Sequence, residues 1–94
     1  MRTKTLKQIL KVVQVAKEHY NQGYGIDDAY QRAVDRIAKE YGLKYQTIGD
    51  GCRRRLGLEQ IGEFKIMLQK ALDGNDSELR SLIKSNFSPT HISN

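Results

Sequence analysis

AKEYGLKYQTIGDGCRRRL, residues 38–56, reads as the end of one helix, a glycine-broken turn and a second short helix that closes on three arginines. Ala38 is small enough to let two helices cross closely. Gly42 can take the left-handed conformation that turns the chain, and Leu43 after it is expected to point back into the core. Ile48, Cys52 and Leu56 lie four apart and predict the inward face of a helix over about 45–56. Gly49 and Gly51 fall inside that helix, where each costs roughly 1 kcal/mol against alanine. They remove side chains from the second helix, or they let a phosphate or another helix come close to bare backbone. Lys44 stands where a Ser or Thr cap would be usual.

Working outward, apolar residues keep helical spacing on both sides of this corner. Leu6, Ile9, Leu10, Val13, Ala16 and Tyr20 predict a stripe on a first helix over 5–21, widened by Val12 and Val15 and started by Thr3 or Thr5. Gly23 stops it, and a lone His19 near its end reads as structural or solvated, not as a ligand. Asp27 or Asp28 is expected to cap a second helix running to Tyr41. Its inward residues are Ala29, Ala33, Val34, Ile37, Ala38 and Tyr41. After the break at Gly57, Ile61, Phe64, Leu68, Ala71 and Leu72, with Met67 beside them, predict a helix over 59–72. Asp73-Gly74-Asn75 is a turn. Asn75 and Glu78 have capping-box spacing at the start of a fifth helix over 76–85, anchored by Leu79, Leu82 and Ile83, with Phe87 adding a contact. Period-two alternation is absent. The expected fold is all-α, a compact bundle of about five helices forming one domain over 1–87. Residues 88–94, SPTHISN with His91, are expected to form a flexible tail.

Ninety-four residues with 38% hydrophobic and 29% charged content can bury one modest core. The net charge of +5 is unevenly spread. Residues 1–20 carry +4 and residues 43–57 carry +3, while 21–42 and 58–94 are each −1. Such clustering suits a polyanionic partner. The single cysteine, Cys52, excludes an intrachain disulfide and points to a reducing compartment, the cytoplasm. No apolar run approaches a membrane span. The basic, acid-free stretch 2–17 also has the character of an organellar presequence, but its apolar stripe argues for a helix of the fold. No nucleophile–base pair, metal cluster or phosphate-binding loop is present, so neither an enzyme, a cofactor, a metal nor a small-molecule substrate is expected. Gly23-Tyr24-Gly25 is too short for a nucleotide loop. Asp27 and Asp28 are explained by helix capping.

Ala38, Gly42 and Ile48 occupy relative positions 5, 9 and 15 of a helix-turn-helix spanning about 34–56. The run VDRIAKEYGLKYQTIGDGCRRRLGL resembles the helix-turn-helix superfamily. It is also similar to small helical modules of bacterial and phage-related proteins, in which a GL.YQTI...C.R.LG pattern precedes an EF-containing helix. Ala38, Gly42, Tyr45, Gln46, Thr47, Ile48, Cys52, Arg53, Leu56, Gly57 and Phe64 carry the likeness, within residues 38–64. The resemblance implies a second helix lying in a DNA major groove. Its outward positions would be Lys44, Tyr45, Gln46, Gly49, Asp50 and Arg53.

On that geometry Gln46 would bond an adenine edge and Arg53 a guanine edge. Lys44, Thr47, Arg54 and Arg55, joined by Lys39, would hold phosphates. With Gly49 bare and Asp50 repelled by phosphate, the base-reading surface is thin, and binding through phosphates is the expectation. The three arginines also suit a helix C-terminus. They fan around the helix, so at least one is expected to pair with an acid such as Asp35, Glu59 or Glu63. The other reading is a protein-interaction or homodimerisation module, supported by the glycine-weakened second helix and the wide apolar stripe of the first. The five tyrosines, interleaved with basic residues, fit either packing or base stacking.

Overall fold

A computed structural model of the chain describes residues 2–87, with side chains from Thr5 onward. The expected tail 88–94 lies outside the described residues. Five helices follow in order: α1 Arg2–Asn21, α2 Ile26–Tyr41, α3 Tyr45–Arg55, α4 Ile61–Leu72 and α5 Ser77–Phe87. Among the described residues there is no strand. The fold is an all-α bundle. No helix among them is long and apolar enough to cross a membrane.

One device ends the first four helices. At the end of α2 the chain turns through Gly42 (φ 68°), whose amide donates to the Lys39 carbonyl at 3.3 Å while the Leu43 amide donates to the Ala38 carbonyl at 2.9 Å. These paired bonds satisfy carbonyls the helix leaves open. The same two-bond closure recurs at Gly23, Gly57 and Gly74. Leu43 does not return to the core as expected. It is 43% exposed, because that backbone bond, not burial, holds it in place.

The helix starts differ from expectation in detail. Gly25 is the residue before α2, so Asp27 and Asp28 sit in the first turn and favour the dipole without capping it. Thr3 and Thr5 lie inside α1. At α4 the Glu63 carboxylate accepts from the Glu59 and Gln60 amides at 3.0 and 2.9 Å, a capping box that starts the helix slightly later than expected. At α5 the expected Asn75–Glu78 box does not form. The helix begins at Ser77, and Asn75 instead accepts a bond from the Ser77 hydroxyl at 3.0 Å. Glu78 pairs with Lys70.

α1 and α2 pack antiparallel, tied by Lys11–Glu40 at one end and Glu18–Arg36 at 3.6 Å towards the other. Small residues permit the close approach: Val12 and Ala16 on α1, Ala29 and Ala33 on α2, all fully buried. The inward line of α1 therefore runs through Ile9, Val12, Val15 and Ala16. Leu10, expected on it, is 51% exposed. α3 and α4 complete the core with Ile48, Cys52, Leu56, Phe64 and Leu68, all at 0% exposure. α5 covers the end of α3: Asn86 Nδ2 donates to the Leu56 carbonyl at 3.3 Å, and the Arg55 guanidinium lies over the Phe87 ring. His19 is structural, with Nδ1 3.0 Å from the Val15 carbonyl and its ring edge-on to Tyr24.

Candidate nucleic-acid interface

α3 turns by about 100° per residue, so Gln46, Asp50 and Arg54 stack in one row with Thr47 alongside. All four are exposed, opposite the buried Ile48, Cys52 and Leu56. Lys44 precedes them, exposed, at the N-cap position. No ion pair or side-chain hydrogen bond to another described residue engages Lys44, Gln46, Thr47 or Arg54. This row is the exposed face of α3.

Two positions expected to face outward do not. Gly49 is buried, and a Cβ built on it would land on the Tyr30 hydroxyl. Its bare backbone lets a neighbouring aromatic, rather than a phosphate, come close. Arg53 has only 17% of its side chain exposed. Its Nη1 donates to the Leu58 and Glu59 carbonyls, both at 3.0 Å, and its Nε lies 3.6 Å from Asp50. Arg53 thus locks the loop between α3 and α4 instead of reaching a guanine, and its acidic neighbour is Asp50, not Asp35, Glu59 or Glu63.

The other arginines divide as their fan requires. Arg55 donates to the Asn86 carbonyl at 3.4 Å and stacks on Phe87, so it braces α5. Arg54 alone among the three is exposed in the Gln46 row. Lys39 is exposed on α2, but it borders a separate shallow trough with His19, Arg32, Asp35 and Arg36. Tyr45 is 43% exposed at the start of α3.

Beside the row lies a groove of about 220 Å³. α2 contributes Tyr30 and Gln31, α3 contributes Tyr45, Gln46, Gly49 and Asp50, and α4 contributes Ile61 and Lys65. Lys65 bridges the helices: its ammonium is 3.3 Å from Asp27 Oδ1 and 5.1 Å from the Tyr30 ring centre. Tyr30 is 6% exposed and stands edge-on to Phe64 at 5.9 Å. Sequence reasoning missed this groove, although Tyr30, Val34, Ile37 and Tyr41 keep a helical stripe that includes Tyr30.

Burial makes both titratable groups beneath the row harder to ionise. It pushes the Cys52 thiol from 9.0 up to about 12. It drives the Tyr30 phenol above its ordinary value, reinforced by Cys52 and Asp50. Cys52 is thus a neutral core residue, not a nucleophile. Both groups are neutral in folded and unfolded chains below about pH 8, where the stability they contribute is intact. Above that the unfolded chain sheds first the Cys52 and then the Tyr30 proton, which the folded chain keeps. Stability should therefore fall with rising pH, by up to about 1.4 kcal/mol per pH unit for each group. Denaturant melts repeated at increasing alkaline pH check this, and a flat profile there contradicts it.

Among the described residues no cluster of His, Cys, Asp and Glu could hold a metal ion. Comparison with protein-family models, with curated proteins and with solved structures finds no match for this chain.

Proposed function

We propose that the protein is a nucleic-acid-binding module, with DNA as its partner, and that α2, the Gly42 turn and α3 act as a helix-turn-helix. The observation that supports this reading is the exposed row on α3, where Lys44, Gln46, Thr47 and Arg54 are unengaged on a chain of net charge +5. Lys44 and Arg54 hold phosphates as point charge and fork, and the Thr47 hydroxyl adds a donor. Gln46 is the residue suited to a base edge. Asp50 lies between Gln46 and Arg54 and repels phosphate, so the binding is weak and sensitive to salt. A lone buried thiol suits a reducing compartment, and the cytoplasm goes with this reading.

Titration of a labelled duplex at two salt concentrations tests the proposal. With two phosphates neutralised, by Lys44 and Arg54, a fourfold rise in salt should weaken binding roughly 12-fold through counterion release. Absence of binding even at low salt contradicts it.

A protein-interaction or homodimer module is the second reading. It is favoured by Leu43 and Tyr45, each 43% exposed at the same corner. Light scattering at rising concentration separates the two, since a strict monomer disfavours dimerisation.

A further inference from the structure

We infer that the groove between α2, α3 and α4 takes one unpaired base, guanine in preference, from a strand whose phosphates lie on Lys44 and Arg54. The inference rests on the nucleic-acid reading above and names the ligand of the groove beside that interface. At about 220 Å³ the groove has room for a single planar base.

Its walls suit a flat ring. Tyr45, a large aromatic left 43% exposed, and half-buried Ile61 of α4 both line the groove. Bases stack on such aromatics whatever their identity. Preference then comes from the polar groups. The Tyr30 hydroxyl makes no hydrogen bond to any described residue, yet it is not sealed from solvent. The Gln46 amide is also unengaged. Gln31 spends its Nε2 on Asp35 at 3.1 Å, which leaves its carbonyl oxygen for a ligand. Asp50 is 51% exposed and only loosely held by Arg53 at 3.6 Å.

A carboxylate at a base edge accepts N–H bonds and repels carbonyl oxygens. Guanine alone presents two adjacent donors, N1–H and the N2 amino group, to such an acceptor. Adenine and cytosine offer one amino group beside a ring acceptor, and thymine sets its N–H between two carbonyls. The Gln46 and Tyr30 donors complement the guanine O6 and N7 acceptors. A cationic side chain from a protein partner fits less well, because Lys65 already holds the cation position over Tyr30 at 5.1 Å. The assignment also gives Asp50 a partner on a face where phosphate repels it.

The test uses fluorescence anisotropy at low salt on short labelled oligothymidylate strands, each carrying one central guanine, adenine, cytosine or thymine. The wild-type protein should bind the guanine strand about tenfold more tightly than the others. Asp50→Asn should erase that preference: the guanine strand loses its contact to the carboxylate, while the other three strands bind as tightly as before or more so, since a negative charge is gone. Tyr45→Ala should weaken the guanine strand about tenfold. Circular dichroism melts confirm that both exposed-site variants fold. Equal binding of the four strands by the wild type, or a preference that survives Asp50→Asn, overturns this inference alone. If no strand and no duplex binds, the nucleic-acid reading falls and takes the inference with it.

Discussion

Phe64→Ala is expected to lower the unfolding free energy by about 3–5 kcal/mol, much of what a domain of this size holds at roughly 0.05–0.15 kcal/mol per residue. Phe64 is fully buried on α4 and stands edge-on to Tyr30, with ring centres 5.9 Å apart. Truncation takes the ring out of the core and leaves a cavity beneath the groove. The aromatic pair, worth about 0.5–1.5 kcal/mol beyond its burial, goes with it. Tyr30 then has no surface to hold its hydroxyl over Gly49. Urea denaturation followed by circular dichroism reads the effect as a drop in midpoint at unchanged slope. Ile66→Ala on the same helix is the comparison. Ile66 is 60% exposed, so its truncation should stay within about 0.5 kcal/mol. Equal effects at the two positions contradict the packing described for α4.

The two glycines inside α3 should respond with opposite sign. Gly49→Val sets a branched side chain against the Tyr30 hydroxyl and the Ile61 methyl. Tyr30 cannot swing away, because its ring is pinned by Phe64 and carries Lys65 on its face. Overpacking of this kind costs about 1–3 kcal/mol. Gly51→Ala meets nothing within 4 Å at a helical position. It should gain up to about 1 kcal/mol from helix propensity. Thermal melts of the two variants give the signs directly. A stabilised Gly49→Val places Tyr30 elsewhere, and a destabilised Gly51→Ala places α3 in another conformation.

These two positions also mark how far the sequence carries. Five helices and their breaks are legible in it, because apolar spacing and the glycines at 23, 42, 57 and 74 are local signals. The inward face of α3 follows from Ile48, Cys52 and Leu56 alone. The inward line of α1 does not. Leu6, Ile9, Leu10, Val12, Val13, Val15 and Ala16 cover most of that helix, and only the small residues of α2 select which of them is buried. Leu43 misleads because its backbone bond to Ala38, not its side chain, turns the corner. Arg53 misleads because the carbonyls it holds belong to the loop at Leu58 and Glu59, whose path depends on where α4 packs. In sequence Gly49 is only a missing side chain, since nothing local says that the fold brings Tyr30 over it. At the candidate interface, the sequence puts Lys44, Gln46, Thr47 and Arg54 on or beside α3, where all four are exposed. It does not separate Arg54 from its two neighbours.

That separation offers the most direct measurement. The salt dependence of duplex DNA binding should be compared for the wild-type protein, Arg54→Ala and Arg53→Ala. Removing one phosphate-binding side chain lowers the slope of log K against log salt by about 1. The expected result is that reduction for Arg54→Ala and an unchanged slope for Arg53→Ala, with the Arg53 variant showing its effect in thermal stability instead. An unchanged slope for Arg54→Ala, or no duplex binding by the wild type at low salt, contradicts the account of α3 as a phosphate-contacting face.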